Sequence, residues 1–221
     1  MTDSYLKLFE AVGVDFTKFI ETGAENCLFL PHSKVASNWE NIKKQVNDGI
    51  ILVRGCGRHA DSQDIANSAY GKLFCVKKID VDKTNNANPG KYYTLFEKES
   101  GEKLYNYQVS HVFGRTKNPY AFMGLWNISL VPKLLDPLTG HESHGLYKNG
   151  FQKLFKKRSF DLYPDILEDF NAIMLNLNKK LDDWANDDPI VRSKREKGCK
   201  QRHLDLVIRE IKNAFSGITP D

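Results

Sequence analysis

The sequence predicts an α+β fold. Two short, apolar, β-favouring runs lie in the first half of the chain, at residues 50–53 and 73–76. The chain after Phe151 has a helical pattern that extends to its end. The 221 residues, of which 41% are hydrophobic and 27% charged, suit one large globular domain and exclude a disordered or fibrous chain.

Three helices are predicted in the first third of the chain. Apolar residues near helical spacing predict an amphipathic helix over the first twenty residues. Ser37 and Glu40 have the spacing of a capping box, which predicts that a second helix begins at Ser37 and ends near Asn47. A short helix over residues 61–70 separates the two apolar runs, which are therefore interpreted as strands.

The middle of the chain is predicted to contain two more strands. The polar segment 84–90, with Pro89 and Gly90, predicts a loop. Residues 92–96 and 104–112 follow as strands, and residues 99–102 form a plausible hairpin turn between them.

In the C-terminal region, two prolines mark predicted helix starts, at Pro164 and Pro189. Together these patterns divide the chain into an N-terminal α/β region (1–100), a central segment (101–160) and a C-terminal helical region (161–221).

The composition indicates an intracellular protein. No window approaches the ~20 apolar residues that a bilayer span needs, and Asp3 and Glu10 stand where a signal peptide has basic and then apolar residues. The cysteines are widely scattered and form no C-x-x-C pair, so they are expected to be reduced and mostly buried: Cys27, Cys56, Cys75 and Cys199. We therefore expect a cytoplasmic location and no association with a membrane.

Charge is distributed unevenly, although the net charge is only +4. Residues 146–160 carry five basic and no acidic side chains, residues 161–188 are mainly acidic, and the segment from Arg192 to Arg202 is again basic. Such runs are either solvated helix faces or surfaces that bind phosphates. The second interpretation assigns DNA contacts to Arg192, Lys194 and Arg195.

One segment combines residue types that suit phosphodiester hydrolysis. His111 ends the predicted strand 104–112, Asn127 follows sixteen residues later and Asp136 nine residues after that, with His141 close behind. Histidine is a base with a pKa near neutrality, and a carboxylate suits a hard divalent cation. Asparagine can orient a histidine without competing for its proton.

The order His111, Asn127, Asp136 and His141 resembles the HNH, or ββα-metal, endonucleases. In that family two antiparallel strands and a helix hold one divalent metal ion. The resemblance implies that His111 is the general base and that Asn127 positions it. It further implies Asp136 as the first metal ligand, His141 as the second, and Mg²⁺ as the cofactor.

Basic residues near the motif favour a DNA substrate. Arg115, Lys117 and Lys133 are placed to contact the phosphate backbone. Each motif residue also has a purely structural interpretation. His111 can be an ordinary polar residue at a strand edge, Asn127 can form a turn, and Asp136 can cap a helix that has proline at its first position.

The resemblance also implies an arrangement for the whole chain. The nuclease motif lies within 101–160, the region 1–100 supplies DNA recognition or dimer contacts, and the helical region 161–221 carries a basic segment. A chain of this size with a central motif resembles a type II restriction endonuclease. Such enzymes act on double-stranded DNA, usually as homodimers on short palindromic sites.

Two alternatives remain open. A PD-(D/E)XK nuclease needs an acidic residue on one strand and E-x-K on the next; Asp80 and Asp82 precede the predicted strand 92–96, but the E-x-K spacing is missing. The other alternative is a non-catalytic DNA-binding protein that uses only the basic segments.

Overall fold

The computed structural model describes residues 4–56, 60–82, 89–140, 143–196 and 201–220. In these parts the chain is mostly helical and contains two small two-stranded sheets, so the predicted α+β class is confirmed. None of the helices described there is long and apolar enough to cross a membrane.

The helices and strands alternate in the first two thirds of the chain, and helices alone follow. The helices are α1 (Ser4–Ala11), α2 (Phe16–Glu25), α3 (His32–Asn47), α4 (Ala60–Leu73), α5 (Pro89–Ser100), α6 (Pro119–Phe122), α7 (Asp136–Thr139), α8 (Leu146–Leu162), α9 (Pro164–Asp182), α10 (Trp184–Asp187), α11 (Pro189–Glu196) and α12 (Gln201–Ala214). The strands are β1 (Ile50–Arg54), β2 (Lys78–Asp82), β3 (Tyr107–His111) and β4 (Ile128–Pro132).

The two sheets have different topologies. Strands β1 and β2 are parallel, with Arg54 opposite Asp82, and α4 makes the crossover that a parallel pair requires. Strands β3 and β4 are antiparallel, with His111 opposite Ile128. Leu28 extends this second sheet through an isolated antiparallel bridge to Leu130.

The β3–β4 hairpin lies between two hydrophobic cores. Successive residues of a strand point to opposite faces, and both faces of β4 are buried. Leu130 belongs to the main core, which α3, α4, α9 and α12 share with β1. Val131 belongs to a smaller core between α2, α7 and α8. The hairpin is therefore fixed from both sides, and residues at its ends have defined positions.

Two of the predicted N-terminal helix boundaries are wrong. The single helix over residues 1–20 is two helices, because the chain between α1 and α2 turns at Gly13, whose φ is +68°. The helix predicted from Ser37 begins five residues earlier at His32, directly after Pro31. Val35 is fully buried in that extra turn, so tertiary packing extends the helix beyond its capping-box signal.

Two predicted strands are also wrong. Residues 73–76 are not a strand, because α4 continues to Leu73 and the partner of β1 comes later, at Lys78–Asp82. Residues 92–96 belong to helix α5, where Tyr92 and Phe96, four residues apart, are buried on the same face. The expected hairpin turn at 99–102 is instead the end of α5, followed by Gly101 with a φ of +74°.

Other local predictions are confirmed. Strand β1 matches its apolar run, α4 contains the short helix expected over 61–70, and Pro164 and Pro189 begin α9 and α11. Most of the loop predicted at 84–90 lies outside the described residues. Of the cysteines, Cys27 and Cys56 are buried free thiols and Cys75 is exposed, while Cys199 lies outside the described residues.

A glycine joins α3 to β1 in a conformation that other residues rarely adopt. Gly49 has a φ of +77°, and a Cβ placed on it overlaps the carbonyl oxygen of Cys75. Gly71, on α4, has nothing within 4 Å of such a Cβ. Gly49 is therefore the position to test, and Gly71, where a Cβ meets no neighbouring atom, is its control.

We predict that Gly49→Ala lowers the free energy of unfolding by about 3 kcal/mol, because backbone strain and overlap add together. Gly71→Ala should raise it by about 0.5–1 kcal/mol, because alanine favours the helix. Urea denaturation followed by circular dichroism measures both. Equal effects of the two substitutions contradict the role assigned to Gly49.

Candidate functional site

The candidate site is centred on His111, the last residue of β3. Its ring stacks on Phe122, with the ring centroids 5.7 Å apart, and its Nε2 lies 3.2 Å from the Phe122 carbonyl oxygen. A carbonyl oxygen only accepts hydrogen bonds, so Nε2 carries the hydrogen. In the neutral ring, Nδ1 then holds the lone pair and is the atom that can accept a proton.

The surroundings of His111 favour the neutral ring. Burial lowers the pKa of His111 below its ordinary value of 6.5, and the positive charge of Arg54 lowers it further. The hydrogen bond to Phe122 opposes this effect and is the weaker influence. At neutral pH the side chain is therefore in the form that a general base needs.

Asn127 stabilises the backbone just after His111 and just before Phe122. Its side chain is fully buried, and its Oδ1 accepts a hydrogen bond of 2.8 Å from the Phe113 amide. Its Nδ2 donates to the carbonyl oxygens of Gly114 and Ala121, each at 2.9 Å. Asn127 thus positions His111 indirectly. It holds the segment that directly follows His111, and it holds Ala121, the residue before Phe122, on which the His111 ring stacks.

Two further polar side chains, the buried Asn118 and the partly buried Asn38, hold the long β3–β4 connection. Asn118 caps α6 by accepting from the Tyr120 amide and donates to the Ala214 carbonyl oxygen. Asn38, on α3, accepts from the Leu125 amide. Sequence reasoning missed these residues and Phe122, because their role depends on contacts with distant helices. The Asn118-Pro119 pair, a helix-start pattern, was the one local signal that pointed to the cap.

The two basic residues of this connection contact α12 and the turn that follows it. The Arg115 guanidinium donates to the carbonyl oxygens of Asn213 and Gly217, and burial lowers its pKa. Lys117 forms an ion pair with Glu210. Lys133 is exposed in the 3-10 turn that follows β4. DNA contacts by these three residues stay a prediction. For Arg115 and Lys117, a contact with a phosphate would compete with the intramolecular contacts just described.

Asp136 begins α7, which packs against β3. It is partly exposed, and it is the first residue of the helix, after the N-cap residue Leu135, so it is not the cap that its structural interpretation predicted. The second predicted ligand, His141, lies outside the described residues. Within the ranges that the structure describes, no three His, Cys, Asp or Glu side chains come together in a way that could hold a metal ion.

Some basic side chains of these segments form contacts within the protein, and others are exposed to solvent. On α11, Arg192 and Arg195 are exposed, whereas Lys194 forms an ion pair with Asp64 at 2.8 Å. On α8, Lys157 pairs with Asp161 at 2.6 Å, and Arg158 donates to the Ala24 carbonyl oxygen. These pairs reduce the charge that each segment presents to a phosphate backbone.

One of the strands that the PD-(D/E)XK alternative requires is a helix in the structure. Asp80 and Asp82 lie on β2, as a nuclease of that kind requires. The residues expected to form the next strand, 92–96, belong to helix α5. The second acidic residue and the lysine of such a site therefore have no strand to occupy at that position.

The chain belongs to the protein family described as uncharacterised protein PM1201, whose model matches residues 30–219. Helices α1 and α2 precede the matched region. A similar relative is the uncharacterized protein PM1201 of Pasteurella multocida (strain Pm70), which is 38% identical over 178 residues. The match covers 78% of this chain and 79% of the relative. No solved structure matches the chain.

Replacement of Asn127 tests its role in the connection. We predict that Asn127→Ala lowers the free energy of unfolding by about 3 kcal/mol or more, because it leaves an amide and two carbonyl groups unsatisfied in a buried place. Urea denaturation measures the change. Asn149→Ala, at an exposed position of α8, is the control and should change stability by less than about 0.5 kcal/mol. A loss at Asn127 no larger than in the control contradicts the role.

The lowered pKa of His111 predicts a pH effect on stability. Below pH 6.5 the unfolded chain binds a proton at this residue while the folded chain does not, so stability falls as the pH drops towards the folded pKa. Unfolding free energies at pH 7.5 and pH 5.5 measure this loss. His111→Gln should reduce it, whereas His144→Gln, at an exposed position, should not. An unchanged loss in the His111 variant contradicts the assignment.

Proposed function

We propose that the protein is a metal-dependent endonuclease of the HNH type that hydrolyses phosphodiester bonds in double-stranded DNA. The observation that carries the proposal is the state of His111. It is a histidine at a strand end, kept neutral by burial, whose Nε2 is occupied by a carbonyl oxygen so that Nδ1 is the basic atom. This combination suits a general base that activates water.

The order of elements around His111 supports the same proposal. Strand β3 ends at the histidine, β4 begins directly after Asn127, and α7 begins at Asp136 and packs against β3. The resemblance expects two antiparallel strands and a helix in this order. The buried amide of Asn127 holds the turn after the histidine, which agrees with a positioning role.

The proposed reaction uses His111 in one step. Nδ1 accepts a proton from a water molecule as the water oxygen bonds to phosphorus, and the bond from phosphorus to the leaving sugar oxygen breaks. The leaving oxygen takes a proton from solvent. Mg²⁺ or another divalent ion stabilises negative charge on phosphate oxygens in such reactions. The resemblance implies that such an ion is bound, with Asp136 and His141 as its candidate ligands.

The biological class follows from the resemblance as well. We propose a sequence-specific enzyme of the type II restriction class, active as a homodimer, with exposed basic residues such as Lys133, Arg192 and Arg195 on phosphates. A non-catalytic DNA-binding protein is the competing possibility. The two differ in a single measurable property, which is cleavage that depends on a divalent cation.

We predict that the wild-type protein nicks or cuts plasmid DNA with Mg²⁺ and not with chelator. His111→Ala should abolish cleavage, a loss of at least about 100-fold, while DNA affinity changes by no more than a few-fold, because a general base acts in the transition state. Gel assays measure cleavage and fluorescence anisotropy measures binding. His144→Ala is the matched control and should cleave normally.

The outcomes separate the possibilities. Binding without cleavage at any Mg²⁺ concentration favours the non-catalytic protein. Cleavage by His111→Ala at the wild-type rate contradicts the assigned base. A protein that neither binds nor cuts DNA overturns the proposed function.

A further inference from the structure

A cleft of about 870 Å³ lies between helices α3 and α5, close to the connection that holds His111. Its apolar floor includes Leu52 of β1, Met123 and Leu125. A volume of this size is within the ~300–1,000 Å³ range of ligand sites and is too small for a segment of duplex. The cleft therefore suits a small ligand or a single nucleotide unit.

One wall of the cleft carries side-chain amides. Asn38, Asn41 and Gln45 line it from α3, at spacings that place them on one helix face. The other side of α3 is anchored to α9, because Trp39 and Lys43 each bond Asp169 at 2.8 Å. The amide face is thus held towards the cleft. Asn41 and Gln45 are exposed there, whereas the Asn38 oxygen already accepts from the Leu125 amide.

The opposite wall carries positive charge. Lys91 and Lys98, seven residues apart on α5, line the cleft with Thr94 between them. Two neighbouring acids on α5 are already paired with lysines, Glu97 with Lys103 and Glu99 with Lys34. Asp82 of β2 is the acidic residue that also lines the cleft. By charge, the lysines of this wall attract an anion, whereas Asp82 at the end of β2 repels one.

Contacts join the two walls to each other and to the strand that carries the candidate site. Lys34 of α3 and Glu99 of α5 form an ion pair of 2.8 Å that joins the two helices. The hydroxyl of Tyr93, on α5, donates to the carbonyl oxygen of Tyr107 and accepts from its amide, at the start of the strand that ends at His111. Met123, on the cleft floor, follows the residue whose carbonyl oxygen holds the histidine ring.

We propose that this cleft binds one unpaired nucleotide of a DNA substrate, with its base edge on Asn41 and Gln45 and its phosphate on Lys91 and Lys98. This inference rests on the proposed function and names where that function contacts the substrate. Carboxamides both donate and accept, so they can pair with a base edge, and asparagine and glutamine pair with adenine through two hydrogen bonds. An apolar floor accommodates the face of a base that has left the stack.

The test uses the full chain and fluorescein-labelled single-stranded oligo(dA), oligo(dT) and oligo(dC) without divalent cation. We expect N41A/Q45A to reduce the preference among the three oligonucleotides, about tenfold at most, while overall affinity falls less. K91A/K98A should weaken all three alike and make the slope of log affinity against log salt shallower by up to ~0.7 per lost phosphate contact. Anisotropy titrations at several salt concentrations measure both.

A matched control lies on the same helix. K44A/N47A removes one lysine and one amide from exposed positions of α3 that do not line the cleft, and it should bind as the wild type does. Thermal unfolding by circular dichroism shows whether each variant is folded. A folding defect in either double alanine variant is resolved with N41D/Q45E, which keeps the size of the side chains and should weaken binding by charge repulsion.

The results distinguish this inference from the proposed function. If the wild-type protein cuts plasmid DNA but the cleft variants bind all oligonucleotides as K44A/N47A does, the nucleotide site is wrong and the nuclease proposal stands. The same holds if the wild type cuts DNA and binds no single strand. If the protein neither cuts nor binds any DNA, the proposed function has failed.

Discussion

The fold around the candidate site depends on one buried carboxamide. Asn127 is fully buried, and its side chain makes three hydrogen bonds to backbone groups of the β3–β4 connection. Buried backbone groups that lack partners are costly, and a long irregular connection has no ladder to satisfy them. Asn127 supplies those partners and so allows the sixteen residues between His111 and Ile128 to run between two hydrophobic cores, with His111 held at one end.

The same burial links stability with the chemistry proposed for His111. Partial burial lowers the pKa of His111 and favours its neutral form, which suits a proton acceptor, but the folded state then becomes less favourable in acid. The connection is also coupled to the C-terminal helix, because Arg115, Lys117 and Asn118 all contact residues in or just after α12. Charges that the sequence places beside a candidate phosphate site are thus partly used to hold the fold together.

Local signals predicted several parts of this structure and failed at others for a physical reason. Pro164 and Pro189 begin helices because proline fits the first helical turn. His111 ends a strand as expected, although β3 starts at Tyr107 and is shorter than the predicted run. Tyr92 to Phe96 is rich in β-favouring residues, yet it forms a helix because Tyr92 and Phe96 both reach the core from one helix face. Short apolar runs suit either structure, and packing decides between them.

The sequence by itself determined the α+β class, the helix starts at Pro164 and Pro189, and the residue types at the candidate site. These depend on interactions within a few residues, such as capping, proline geometry and periodicity. Only the tertiary structure decided which atoms of His111 and Asn127 are occupied, that Arg115 and Lys117 face α12, and that an amide wall on α3 opposes lysines on α5. Those features join residues that are tens of positions apart, and no local pattern records which distant groups will satisfy a buried donor or acceptor.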